Sequence, residues 1–163
     1  MKTIYDVFGE LGIEYELFDH PPFFTCDESR EWYEENLDLS SGESKNLLLR
    51  NKKGNVHYLV VVESTKRVDL KDLASQLEES KLSFASEERM MRTLGVKPGA
   101  VSVLALTHPG AKDVRVVFDN ELMGFKKLHY HPPGRNDQTI VLKTEDLKRL
   151  MAWFGNHIQY VEL

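Results

Sequence analysis

The chain has 163 residues, of which 41% are hydrophobic and 29% charged, and it carries a formal net charge of −5 at pH 7. That length fits one domain, which we expect to span residues 1–163. No apolar run approaches the roughly 20 residues of a membrane span, and residues 1–6 lack the apolar core of a signal peptide. One cysteine excludes an internal disulfide, so we expect a cytoplasmic protein without membrane contact. The negative charge argues against a surface that is basic throughout, but not against local basic patches.

The first third of the chain shows helical and strand patterns in turn. Apolar residues at helical spacing predict a helix over residues 3–12. Residues 15–18 read as a strand, and Asp27 is the predicted cap of a second helix. A hairpin is predicted over 47–62, because a short polar segment containing Gly54 separates two apolar runs.

The remainder continues in the same way. A helix is predicted over about 69–79 with Asp69 as its cap, then a short extended piece at Phe84 and a helix from Ser86 to Leu94. The later predicted elements are strands at 101–106, 113–118, 126–130 and 138–142, a helix from Thr144 to about 155, and a strand over 158–161.

The order of these elements predicts a fold of the mixed α/β (α+β) class. Helices and strands are interleaved, yet several strands are joined by short turns, which favours a mixed sheet flanked by helices over a doubly wound nucleotide fold. The sequence contains neither Gly-x-Gly-x-x-Gly nor a Walker lysine motif, so phosphate-cradling loops of those kinds are not expected.

Lys45 and Asn46 stand at the mouth of an otherwise apolar strand. A lysine that is partly withdrawn from water can take part in chemistry, whereas the plain alternative is a solvated strand end. The segment from Leu94 to Val101 offers a second polar feature, because Gly95 and Gly99 allow backbone geometry that exposes amides to an anion. Its plain alternative is an ordinary helix stop followed by a turn.

Two kinds of chemistry are disfavoured. His129 and His131 would project from one face of a strand, as metal ligands can, but no third ligand stands at a recognisable spacing, so we expect no metal and no cofactor. No Gly-x-Ser-x-Gly motif or convincing Cys–His pair suggests a covalent nucleophile. A hydrolase of this sequence would therefore position water and stabilise charge.

Five short segments resemble, in their order and separation, the YbaK/ProX family of aminoacyl-tRNA deacylases, which are related to the insertion domain of bacterial prolyl-tRNA synthetase. The resemblance extends from about residue 3 to the end of the chain. The segments are Asp19-His20-Pro21-Pro22-Phe23-Phe24-Thr25, Lys45-Asn46-Leu47, Leu94-Gly95-Val96-Lys97-Pro98-Gly99-Ala100-Val101-Ser102, His131-Pro132, and Asn136 with Thr139.

This resemblance implies a curved, partly closed mixed sheet with a pocket at its open side, and it implies roles for individual residues. The implied catalytic residues are Lys45, Gly95, Gly99 and His131, with His129 as a rival for His131. The implied substrate-binding residues are Asn46, His20, Phe23, Thr25, Pro98 and Asn136. In this sequence one extra residue separates His131 from Asn136 compared with the common family spacing.

The resemblance further implies an enzyme that deacylates mischarged tRNA for proline in trans, with alanine as the favoured amino acid and serine as a close competitor. Mischarged tRNA is then the partner, and prolyl-tRNA synthetase is a possible second one. The alternatives are a non-enzymatic module that binds an acceptor end or a protein, and a hydrolase of another small acyl ester. The basic residues expected to approach tRNA phosphates are Arg50, Lys52, Lys53, Lys126 and Lys127.

Overall fold

The computed structural model describes residues 2–37 and 41–163. Within them the α-helices are α1 Ile4–Leu11, α2 Cys26–Asn36, α3 Leu70–Gln76, α4 Glu87–Leu94 and α5 Thr144–Phe154. The strands are β1 Tyr15–Asp19, β2 Ser41–Asn51, β3 His57–Glu63, β4 Leu82–Phe84, β5 Arg115–Asp119, β6 Lys127–Tyr130, β7 Gln138–Lys143 and β8 Ile158–Val161. Short 3₁₀ helices cover Val103–Thr107, Pro109–Ala111 and Asn120–Gly124.

The strands form one mixed sheet in the order β1-β7-β6-β2-β3-β5-β8, and β4 pairs with β2 outside this path. The pairs β2–β6, β3–β5 and β5–β8 are parallel, whereas the others are antiparallel. Within the described residues β1 and β8 are the two edges of the sheet, so it is open. The predicted mixed α/β class with flanking helices is confirmed.

Alternate residues of β3 serve two cores, as the two-residue period of a strand requires. Leu59 and Val61 join the larger core, which α1, α4 and α5 cover. Tyr58 and Val60 join the smaller one, which α3 covers. The central strands are therefore buried on both faces, and none of the helices in the described part of the chain combines the length and apolarity needed to span a bilayer.

Most local signals have their expected effect. Gly12 ends α1, Asp69 caps α3, Ser86 caps α4 and the 47–62 hairpin forms. The predicted strand at 101–106 is wrong, because residues 103–107 form a 3₁₀ helix that the Ser102 side chain caps. A short apolar run that is fully buried has no periodicity to separate the two structures.

Three smaller predictions also need correction. The cap of α2 is Thr25, whose side chain accepts a hydrogen bond from the Glu28 amide, and Asp27 lies in the first turn. Helix α3 ends at Gln76 and not at about residue 79 as predicted, and Glu78, just beyond its end, has a φ of 58°. Strand β6 ends at Tyr130, so His131 lies just beyond the strand that was predicted to carry both histidines.

One edge of β2 contains a gap that borders a cavity. Residues 41–43 pair with β6 along this edge and residues 49–51 pair with β4. The backbone of Leu48 still accepts a hydrogen bond from Ala85. Residues 44–47 have no strand partner on this edge within the described chain, while the opposite edge pairs continuously with β3. The cavity lies where β4 and β6 diverge from β2.

Candidate functional site

The cavity at this gap has a volume of about 310 Å³. Its walls come from α2 and the segment before it, from β2, from the end of β4, from α4 with the loop after it, and from the end of β6 with the residue that follows. The predicted site residues that line it are Phe23, Thr25, Lys45, Asn46, Pro98, Gly99 and His131. His20, Gly95 and Asn136 do not line it, although each contacts or supports residues nearby.

Lys45 and Asn46 lie at the centre of the gap in β2. Lys45 is half-buried and lines the cavity. Within the described residues its ammonium group forms no salt bridge. The side-chain carbonyl of Asn46 accepts a hydrogen bond from the Val103 amide at 3.1 Å. Asn46 therefore ties the 3₁₀ segment to β2 and holds the loop before it beside Lys45.

The loop that precedes this segment contains a tight turn at Pro98 and Gly99. The Ala100 amide donates to the Lys97 carbonyl at 3.1 Å, and Gly99 has a φ of 87°. Proline followed by a residue with positive φ is the pattern of a type II turn, which favours glycine at the second position. The Gly99 amide has no hydrogen-bond acceptor among residues 2–37 and 41–163. It is an available donor at the cavity wall.

Gly95 has a different role from the catalytic one predicted for it. Its amide donates to the carbonyls of Met90 and Met91 at 3.1 and 3.0 Å, so it closes α4 and has no capacity left for a substrate oxyanion. Its φ is 66°, and a Cβ atom at this position would lie 2.5 Å from the His108 ring. Glycine is therefore required at position 95 by the backbone conformation at the end of α4 and by the close packing against His108.

His129 and His131 both line the cavity, but in different states. His129 is only 4% exposed, and burial, with a smaller contribution from His131, lowers its pKa to about 3. Its Nδ1 lies 2.7 Å from the Ser41 hydroxyl. His129 is thus neutral at physiological pH and fixed within the wall.

His131 is less enclosed and has a defined tautomer. Burial lowers its pKa overall, and the nearby His20 acts in the same direction, whereas the hydrogen bond to the Gln138 carbonyl and the charge of Asp137 act in the opposite one. Its Nδ1 lies 3.0 Å from the Gln138 carbonyl oxygen. A carbonyl can only accept, so Nδ1 carries the proton and Nε2 is left as an acceptor. A neutral imidazole with a free acceptor nitrogen is able to orient or deprotonate water.

His20 supports the cavity wall from behind. Its ring stacks on Phe23 with centroids 4.1 Å apart. Its Nδ1 donates to the Pro21 carbonyl, and its Nε2 lies 2.7 Å from the Thr139 hydroxyl, which is 2.9 Å from the Tyr33 hydroxyl. This buried network fixes the aromatic wall, so His20 acts on the site through Phe23.

Asn136 and Thr25 also hold the Phe23 segment in place. Asn136 forms two hydrogen bonds with Phe23. Its side-chain NH₂ group donates to the Phe23 backbone carbonyl, and its backbone carbonyl accepts from the Phe23 backbone amide. Thr25 caps α2 directly after this segment and lines the cavity. The extra residue in the His131–Asn136 spacing therefore does not prevent Asn136 from reaching this wall.

The two basic clusters predicted from the sequence lie at opposite ends of β2. Lys127 pairs with Ser41 at one end, and Arg50 precedes the hairpin turn at the other. Ser41 and Arg50 are nine positions apart along β2, which corresponds to roughly 30 Å of extended strand. Lys127 also has a salt bridge to Glu16 at 3.8 Å, which offsets its charge.

The hairpin end is more basic than the sequence alone indicated. Arg89 of α4 donates to the Gly54 carbonyl at 2.8 Å and contacts Nε2 of His57 at 3.1 Å. Burial lowers the pKa of His57, and so do the charges of Arg89, Arg92 and Arg50. Helix α4 thus adds two arginines, which we did not predict, to the cluster of Arg50, Lys52 and Lys53.

Glu43 is a cavity residue that the sequence did not reveal. Its carboxylate accepts a hydrogen bond from the Ser29 hydroxyl at 2.6 Å. Burial raises the pKa of Glu43 above its usual value, although the Ser29 hydrogen bond and the charge of Arg30 act in the opposite direction. Glu43 and Lys45 are two residues apart, so both project from one face of β2. The described residues contain no cluster of three or more potential metal ligands.

We expect the Glu43→Gln variant to be more stable than the wild type, and by a larger margin at pH 7 than at pH 4. A raised pKa means that the folded chain binds the proton more tightly than the unfolded chain, whose glutamates titrate near about 4.3. Folding stability then falls as pH rises through the interval between the two pKa values, and glutamine removes this loss. Urea unfolding of both proteins at the two pH values measures it. The exposed Glu35→Gln is the control; an equal margin at both pH values would contradict the prediction.

Comparisons with known proteins agree on one family. The model of the aminoacyl-tRNA editing domain matches residues 20–150. The prolyl-tRNA editing protein ProX of Acetoanaerobium sticklandii is 40% identical over 154 residues, which cover 94% of this chain and 92% of that protein. The prolyl-tRNA synthetase associated domain-containing protein 1 of Bos taurus is 35% identical over 140 residues, or 83% and 79% of the two chains.

Solved structures show the same fold at lower identity. A crystal structure of a proposed trans-editing enzyme for prolyl-tRNA synthetase has a TM-score of 0.66 and 19% identity, and covers 91% of this chain and 87% of that one. The crystal structure of hypothetical protein APE2540 has a TM-score of 0.73 and 19% identity, with 96% and 97% covered. The resemblance to the YbaK/ProX family is confirmed, and this chain belongs to the aminoacyl-tRNA editing domain family.

Proposed function

We propose that the chain is an aminoacyl-tRNA deacylase that acts in trans on mischarged tRNA for proline and removes alanine most readily. The observation that carries this is the cavity itself, which Lys45, Gly99 and His131 all line beside the gap in β2. The 40% identity to a prolyl-tRNA editing protein supports the substrate class. Residues 1–163 would act as one editing domain, because the sheet runs from Tyr15 to Val161.

Each group has a role in ester hydrolysis. Nε2 of His131 accepts a proton from the attacking water while the water oxygen bonds to the ester carbonyl carbon. The Lys45 ammonium and the Gly99 amide stabilise the oxyanion that forms. The carbon–oxygen bond to the ribose then breaks, and the ribose oxygen takes the proton from His131. The products are the free amino acid and the tRNA, and no covalent enzyme intermediate is formed.

The choice of alanine rests on the general argument of steric exclusion. A pocket that fits a methyl side chain can exclude the larger proline ring, which protects the correct product. Serine adds only one hydroxyl group, which packing alone rejects poorly. The same cleft could serve a binding module without activity, or a hydrolase of another small acyl ester.

Deacylation of alanyl-, seryl-, cysteinyl- and prolyl-tRNA for proline, measured side by side, tests the function. We expect alanyl-tRNA to be hydrolysed fastest, seryl-tRNA next and prolyl-tRNA least. No hydrolysis of any member would leave the binding module as the function. Equal hydrolysis of alanyl-tRNA and a simple alanine ester would favour the small-ester hydrolase.

We expect the Lys52→Gln/Lys53→Gln double variant to raise KM for alanyl-tRNA and to flatten its salt dependence, with little change in kcat. Both lysines are exposed on the hairpin, and each phosphate contact on a single strand contributes a salt slope of about −0.7, so two lost contacts change it by about 1.4. Arg50 and Arg89 are unsuitable for this test because they bond to the hairpin backbone. Kinetics at several salt concentrations provide the measurement.

The matched control is the Lys126→Gln/Lys127→Gln double variant at the opposite end of β2. We expect a smaller effect, since Lys127 already interacts with Glu16. A larger effect at this end would place the acceptor stem over β6 and would contradict docking over the hairpin. The rate at which a small alanine ester is hydrolysed should not change in either double variant, because this substrate has no phosphates.

A further inference from the structure

Two phenylalanines at the cavity are unusually exposed. Phe24 is 82% exposed and Phe84 is 61% exposed, and both line the cavity. Burying a phenylalanine side chain is worth about 1.5–3 kcal/mol, so neither ring contributes that free energy to this fold. Single exposed apolar residues are ordinary on protein surfaces, but two exposed rings that line one cavity call for an explanation.

The two rings come to the cavity from different segments, one at the end of β4 and one just before α2. Phe84 pairs with Leu49 where β4 meets β2, and the next residue, Ala85, donates to the Leu48 carbonyl. Phe24 follows Phe23, whose ring centroid is 6.5 Å from that of His131 just after β6. Both segments border the cavity that Lys45 also lines.

Backbone hydrogen bonds hold both positions. The Phe24 amide donates to the Glu28 carboxylate at 2.8 Å, at the start of α2. Phe84 lies in the short ladder that joins β4 to β2. Both rings are thus presented to solvent from an ordered backbone, so stacking a planar group on either ring costs the protein little conformational entropy.

We propose that Phe24 and Phe84 stack on the unpaired bases at the 3′ end of the RNA that carries the ester. This proposal rests on the proposed deacylase function. An aminoacyl group inside the cavity leaves its ribose at the mouth and the attached base outside, beside these rings. Aromatic side chains bind unpaired bases by stacking, and they can do so with any base because every base has a flat π-face.

The surrounding charges fit a nucleic acid better than an apolar peptide. Arg50 pairs with Ser83, the residue before Phe84, and belongs to the basic cluster with Arg89 and Arg92. Successive strand residues face opposite sides, so Arg50 and Phe84 project from different faces, and the phosphates that follow the terminal bases would reach this charge around the edge of β4. A segment of apolar protein would instead offer no negative charge to these arginines.

The test compares three acceptor-stem minihelices charged with alanine: one intact, one without the terminal base and one without the penultimate base. We expect Phe24→Ala and Phe84→Ala each to lower kcat/KM for the intact substrate about 5- to 150-fold, the factor that about 1–3 kcal/mol of stacking represents. For each variant, at least one of the two abasic substrates should show no further loss. Trp153→Ala, which removes an exposed ring on α5, is the control and should leave all three rates unchanged.

A second readout does not depend on activity. Uncharged minihelix with 2-aminopurine in place of the terminal base should show a fluorescence change on binding the wild type, which Phe24→Ala or Phe84→Ala reduces. Full activity of both variants, or an equal loss on intact and abasic substrates, would overturn the stacking proposal while the deacylase function stood. A wild type that hydrolyses none of the minihelices or the full-length alanyl-tRNA would remove the deacylase function, and the proposal with it.

Discussion

The Lys45→Ala variant is expected to lower kcat/KM for alanyl-tRNA about 100- to 1,000-fold, which is the usual cost of losing one donor to a developing oxyanion. Lys45 lies at the gap in β2, half-buried in the cavity wall, and forms no salt bridge with the described residues. Removing the Lys45 side chain therefore leaves no carboxylate without its ion-pair partner, and we expect the fold to persist. Single-turnover deacylation measures the chemical step, and thermal unfolding checks the stability.

Two further lysine variants make this result specific. Lys148→Ala, which changes an exposed lysine on α5, should retain the wild-type rate. Lys45→Arg keeps the positive charge but changes its shape, so it should recover only part of the activity. Wild-type turnover by Lys45→Ala would remove Lys45 from the reaction and leave the Gly99 amide as the proposed oxyanion donor.

Local sequence signals predicted much of the fold because local physics determines those elements. The caps at Asp69 and Ser86 and the hairpin turn at Gly54 depend on hydrogen bonds between near neighbours. The 3₁₀ segment escaped prediction because residues 103–106 are buried, and burial removes the polar–apolar alternation that distinguishes a strand from a helix. Its conformation depends on Asn46, which lies 57 residues away and accepts from the Val103 amide.

The site was partly predictable for a similar reason. A motif records residue types in order, so Lys45, Pro98 and Gly99 could be placed near one another. Glu43 could not be identified in this way, since its raised pKa arises from burial among residues that only the tertiary fold brings together. The gap in β2 that exposes these residues depends on how β4 and β6 pair, and that register has no local signature.

Gly95 and Gly99 belong to the same motif but have different roles. The substitution of Gly99 is the second change for which we expect a large effect. Gly99→Val should lower kcat for alanyl-tRNA about 100-fold, because displacing a positioned group by ~1 Å can cost that much. A Cβ atom at Gly99 meets nothing within 4 Å, so the change acts through the turn, whose φ of 87° valine resists. Single-turnover rates and melting temperatures of the purified variants provide the measurements.

Gly95→Val is the matched variant and should show the opposite balance. Its Cβ atom would lie 2.5 Å from the His108 ring, and its φ of 66° adds about 1–2 kcal/mol of backbone strain. A loss of several degrees in melting temperature follows for a chain of this size. The rate per folded molecule should stay within a few-fold of the wild type, because the Gly95 amide is occupied by α4. If Gly95→Val instead stopped turnover at full stability, the donor to the oxyanion would lie at the end of α4; if Gly99→Val kept its rate, the turn would serve only to connect the helix to the 3₁₀ segment.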